Sequence, residues 1–133
     1  MQKTVDTDQA IEDAFGLWIS SLFSAIGGRN PELPFNKHVE VFFSVITQLL
    51  KAERIYFIAP DADCYTSPSN PHPRLTIEDT AARWNAPVEE IVSALRSDWP
   101  CHVDHPDHID LLVYFYEIPG VIWVAADGTF VGS

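Results

Sequence analysis

The stretch at 110–128, DLLVYFYEIPGVIWVAADG, constrains the chain most. Every position from 111 to 116 is apolar or aromatic. Such a run fits a strand covered on both faces, because a wet face would put polar residues at alternate positions. Pro119-Gly120 reads as a type II turn, with glycine at the position that needs positive φ. A return strand over 121–125 follows, with Trp123 as its largest side chain. Asp127-Gly128 is a second hairpin signal, and 129–131 can form a third strand. The expectation is a closing meander of three strands.

The rest of the chain reads as helices placed before that sheet. Over 8–26, Ile11, Phe15, Trp18, Leu22 and Ile26 form one apolar stripe, widened by Ile19 and Phe23. Asp6 or Thr7 would cap its start and Gly27-Gly28 its end. A second helix is expected over 36–52, with Asn36 as cap and Val39, Phe42, Phe43, Ile46, Leu49 and Leu50 inward. A short β segment occupies 54–59. Residues 60–75 contain Pro60, Pro68, Pro71 and Pro73, which forbid a helix and most ladder positions. That loop reads as a tolerated insertion more readily than as a binding loop. Thr76 and Asp79 form a variant capping box ahead of a short helix to about Trp84. After Pro87, residues Val88, Ile91, Val92, Leu95 and Trp99 form the inward face of another helix. The fold class is therefore α+β: two N-terminal helices and a helical pair packed on a small, mainly antiparallel sheet, all in one domain over 1–133.

Charge narrows the function. Residues 1–59 hold seven acids against five bases, and residues 60–133 hold twelve against three, within a net charge of −11. Such a field repels nucleic acid and anionic membranes and attracts basic partners, although solubility alone accounts for many acidic proteins. No apolar run approaches the ~20 residues of a membrane span, and the polar start carries no secretory h-region. The expected place is a bacterial-type cytoplasm, with Cys64 and Cys101 as reduced thiols.

Candidate chemistry is sparse. Cys101, His102, His105 and His108 are the usual donors for zinc, but their spacing fits no zinc motif and Pro106 stiffens the middle. A cysteine nucleophile would sit among aspartates, which disfavours the thiolate. Residues 76–99 have a helix-turn-helix rhythm, yet the second helix begins Val88-Glu89-Glu90 and has one base, Arg96, which suits DNA badly. No glycine-rich phosphate loop, GxSxG or HExxH is present, so neither a cofactor nor a catalytic residue is expected. The acids at Asp61/Asp63, Glu89/Glu90 and Asp104/Asp107/Asp110 lack a calcium-loop pattern. They are interleaved with Tyr65, Trp99, Tyr114 and Tyr116, the combination an inhibitor of a basic, nuclease-like protein would use.

Thr76-Ile-Glu-Asp79, Trp99-Pro100, the acidic spacer and the segment 114–128 resemble the C-terminal pattern of a small family of uncharacterised bacterial proteins. In that pattern an aromatic strand, a Pro-Gly or Pro-Ala turn and a Val-Trp strand end the chain. The resemblance extends to 42–59, a helix running into a short β segment. The loop at 60–75 is longer than the pattern. Small acidic α+β proteins of this type resemble immunity proteins encoded beside polymorphic or contact-dependent toxins. The resemblance implies partner binding and carries over no catalytic residue. The expected function is a cytoplasmic immunity or antitoxin-like protein that binds and neutralises a basic toxin domain, such as a nuclease. The contact residues would be Glu89, Glu90, Asp98, Asp104, Asp107 and Asp110, with Trp99 and Tyr116 as aromatic anchors. Simultaneous charge reversal at Asp104, Asp107 and Asp110 is expected to slow association most. The two alternatives are a metal-binding protein using the Cys/His loop and a helix-turn-helix regulator.

Overall fold

The computed structural model describes residues 5–60, 62–64 and 68–132. Among these, five α-helices and three strands follow the order α1 (Asp8–Ala14), α2 (Ile19–Arg29), α3 (Phe35–Lys51), β1 (Ile55–Phe57), α4 (Val88–Ser97), α5 (Ile109–Glu117), β2 (Val121–Val124) and β3 (Phe130–Gly132). The α+β class holds. The sheet runs β1-β2-β3, antiparallel throughout, with Ile55 opposite Trp123 and Trp123 opposite Val131.

The largest departure from expectation is at 109–117, a helix rather than a strand. Leu111, Tyr114 and Phe115 are its buried side chains, the i, i+3, i+4 spacing of a helical stripe. His108 caps the start, its Nδ1 accepting the Asp110 N–H at 3.0 Å, and Asp110 lies at the positive end of the dipole. The end is set by Pro119. A residue before proline is pushed out of the α region, and Ile118 is extended at φ −73°, ψ 159°. The type II turn is absent as well, since Gly120 is not at positive φ. Its carbonyl instead accepts the Ile58 N–H at 2.9 Å, joining the β1 edge. Gly128 does take positive φ, +87°, and closes the β2–β3 hairpin as Asp127-Gly128 predicts.

The expected helix over 8–26 is two helices. Gly16 stands at φ +81°, a conformation that costs a glycine little and stops α1. Phe15 and Trp18 leave the buried stripe, and Ala10, Ala14, Ile19 and Phe23 complete it. Gly27 and Gly28 do not end α2. Asn30 does, its Nδ2 donating to Ile26 O and Asp6 O and its Oδ1 accepting from Asp6 N–H. The helix expected to Trp84 shrinks to one 3-10 turn at Thr80–Ala82. The Thr76–Asp79 box still forms, with Thr76 N–H donating to Asp79 Oδ2 at 2.7 Å, but Asp79 itself is extended. Without that first helix, residues 76–99 do not make a helix-turn-helix.

The core is aromatic. Phe23 on α2, Phe42 and Phe43 on α3, Trp99 after α4 and Phe115 on α5 meet with centroids 5.2–6.3 Å apart. The Tyr114 hydroxyl donates to Leu95 O at 2.7 Å, pinning α5 to α4. On the sheet, the Arg83 guanidinium lies 4.5 Å over both Tyr56 and Phe130.

His38 joins this core from α3. Its ring stacks on Phe23 at 3.8 Å, and its Nε2–H donates to Phe23 O at 2.6 Å. The close fit depends on Gly27, where an added Cβ would lie 2.7 Å from His38 Cε1. Glycine to alanine inside a helix ordinarily stabilises by about 0.5–1 kcal/mol. Here Gly27→Ala should instead destabilise by about 1–3 kcal/mol through overpacking, read by urea denaturation.

Burial holds the His38 pKa below its ordinary value, against the smaller opposing effect of the bond to Phe23 O. The folded pKa lies below the unfolded one, so the unfolded chain binds the extra proton first. Stability contributed by neutral His38 is complete above roughly pH 6.5 and falls as pH drops toward the folded pKa, by at most about 1.4 kcal/mol per unit. His38→Gln should flatten the stability profile between pH 7 and 5. An unchanged slope would locate the acid sensitivity elsewhere.

Candidate functional site

Because α5 is a helix, half of its apolar run faces solvent. Ile109 and Leu112 are 66% exposed, Val113 is 45% and Tyr116 is 73%. Large apolar side chains rarely cluster at a surface unless something covers them. The α1–α2 corner extends this face, with Trp18 52% exposed and its ring 6.1 Å from that of Tyr116.

The face is flanked by hollows of different character. Between Trp18 and Tyr116 an apolar one of about 350 Å³ is floored by Ile19, Ile58, Phe115 and Pro119. On the opposite flank a hollow of about 430 Å³ is lined by Asp98, Asp110 and Glu117 around Val113. Asp107 borders a third, between α2 and α5, beside Leu112. Carboxylates thus rim an apolar centre. Residues 97–133 hold six acids and no lysine or arginine, and of the rim carboxylates Asp110 has a histidine partner, His102.

The expected contact residues separate on this geometry. Asp98, Asp107, Asp110 and Tyr116 border the α5 face. Trp99 is half-buried, with its ring packed against Phe43 at 5.5 Å and Tyr114 at 5.0 Å. Glu89 and Glu90 lie in the first turn of α4, where they favour the helix dipole, and Glu89 reaches Lys51 at 4.0 Å. Asp104 is exposed in the turn before α5. Trp18, Leu112, Val113 and Glu117 belong to the face and are not anticipated by charge counting. Asp61 and Tyr65 lie outside the described residues.

The Cys/His loop also rearranges. His102 Nε2 lies 2.6 Å from Asp110 Oδ2, and His108 caps α5. Cys101 turns away, its Sγ donating to Trp99 O at 3.6 Å. Burial and the neighbouring Asp63 raise the Cys64 thiol pKa, which suppresses the thiolate a nucleophile needs. Asp63 in turn ties the proline-rich loop, accepting from Asn70 Nδ2 at 2.7 Å and from Arg74 N–H at 3.2 Å. These bonds hold its carboxyl below the usual range. No described helix is long and apolar enough to cross a membrane. Comparison with protein-family models, curated proteins and solved structures gave no significant match.

Proposed function

We propose that this chain is a cytoplasmic immunity or antitoxin-like protein that neutralises a basic protein domain, with the outer face of α5 as its docking surface. The observation that carries the reading is the apolar strip Ile109, Leu112, Val113 and Tyr116, rimmed by Asp98, Asp107, Asp110 and Glu117. Aromatic anchors at the centre supply binding energy, and charges at the rim steer encounter and select a cationic partner. A toxin domain acting on nucleic acid has such a cationic surface, and this acidic face would occlude it without any chemistry of its own.

The test is affinity capture at low salt from cells that express the neighbouring genes, with the wild-type chain beside an Asp98→Lys, Glu117→Lys variant. One basic polypeptide retained by the wild type and lost from the variant supports the reading and names the target. Equal recovery on both would remove α5 as the docking surface. An empty capture from cells shown to express those genes counts against the function itself.

A further inference from the structure

We propose that His102, His108 and Asp110 form a binding site for a divalent transition-metal ion, held by two imidazole nitrogens and one carboxylate oxygen. One ligand atom from each residue lies within 4.8 Å of the other two. Asp110 Oδ2 is 2.6 Å from His102 Nε2 and 4.0 Å from His108 Nδ1. Tetrahedral ligands on zinc, with bonds near 2.0–2.1 Å, stand roughly 3.3–3.4 Å apart. The His102–Asp110 edge must open and the His108–Asp110 edge close by roughly 0.7 Å to reach that geometry, and the His102–His108 edge, which lies within 4.8 Å, must close by up to about 1.4 Å. The side chains of His102 and Asp110 are exposed, so small rotations accomplish this.

The backbone beneath them is braced. Val103 is buried between Cys101 and His105. Its N–H donates to Pro100 O at 3.0 Å, His108 N–H to His105 O at 3.4 Å, and Leu111 N–H to His108 O at 3.1 Å. The donors therefore stand on a folded turn that runs into α5. A surface histidine–aspartate bond is the ordinary reading of one such pair. A second imidazole beside the same carboxylate, in a segment without lysine or arginine, is what favours a cation. Two imidazoles select zinc, nickel, cobalt or copper over calcium and magnesium. The protein supplies three donors, and water would complete the shell.

Occupancy has a structural consequence. His108 Nδ1 accepts the Asp110 N–H, so Nδ1 carries the lone pair and Nε2 the proton. A metal on Nδ1 takes that lone pair. A metal on Nε2 sends the proton to Nδ1, which then cannot accept. Either route removes the cap bond of α5, the helix that carries Ile109 and Leu112. The site thus links cation binding to the first turn of the exposed face, although its existence does not rest on the docking role.

The test is titration of zinc chloride into the metal-stripped full chain, followed by calorimetry and NMR. Saturable binding of one equivalent is expected, with the Asp110 amide and the His102 and His108 ring signals shifting together. His102→Ala, at an exposed position, should weaken binding by about tenfold or more, and Asp110→Asn should do the same. Cys101→Ser and His105→Ala should leave it unchanged. Zinc binding that survives both first variants, binding that requires Cys101 or His105, or no saturation below about millimolar zinc would overturn the assignment.

Discussion

Lysine at both Asp98 and Glu117 should slow association with the proposed basic partner by about 10- to 1000-fold at low salt. The two carboxylates line one hollow beside Val113, and neither belongs to the His102–His108–Asp110 cluster, so the variant isolates docking from metal binding. The effect should fall on the association rate and shrink as salt rises, because exposed charges act over a Debye length of roughly 8–10 Å. Tyr116→Ala should behave differently. Removing a 73% exposed ring at the centre of the face should raise the dissociation rate and weaken binding by about 2 kcal/mol or more. Surface plasmon resonance across a salt series separates the two. The same variants carry an internal control. Glu117 is the last residue of α5, at the negative end of its dipole, and no basic residue lies in that turn. Glu117→Lys should therefore leave fold stability unchanged or raise it by about 0.3–1 kcal/mol. Loss of binding accompanied by loss of stability would mean that the residue serves the fold and not a partner.

The same face explains why α5 is hard to read in sequence. A strand and a helix are told apart by where the polar residues fall. In α5 the buried positions 111, 114 and 115 are apolar, as any helix requires, but 109, 112, 113 and 116 are apolar too. Periodicity vanishes when the exposed side is also hydrophobic, and the aromatic and β-branched content then tips the reading toward a strand. The residual signal was the i, i+3, i+4, i+7 series Leu111, Tyr114, Phe115 and Ile118, together with a capping side chain at His108. Helix α3, with a polar outer face, was legible to within a residue. The α3 stripe, with Glu40 and Gln48 outside it, was expected at 36–52 and lies at Phe35–Lys51. The Asp127-Gly128 hairpin was legible because only a special backbone conformation admits that turn. The Phe15–Trp18 corner was not, since its side chains continue the helical stripe and a single glycine breaks the backbone beneath them. Of the site, the acids were visible as charge, but which of them share a surface depended on the helix.

Trp123→Ala should destabilise the protein by about 3–5 kcal/mol, among the largest effects of any single truncation here. The side chain is 1% exposed in the middle strand of the sheet. It meets Phe15 at 5.7 Å, and its Nε1–H donates to Leu17 O at 2.8 Å across 106 residues of sequence. That bond ties β2 to the corner where α1 gives way to α2, and the next residue is Trp18, at the edge of the proposed docking face. Trp123→Phe then becomes the informative variant. It keeps an aromatic ring and should cost less stability than alanine, but it leaves the Leu17 carbonyl without its indole donor, at about 1–3 kcal/mol where such a group is desolvated. The corner should loosen and Trp18 should lose its fixed position beside Tyr116. Partner affinity in the phenylalanine variant should therefore fall while the chain remains folded at 25 °C by circular dichroism. Unchanged affinity at reduced stability would confine Trp123 to the core, and would mean that the Trp18 edge of the face contributes nothing that its position has to preserve.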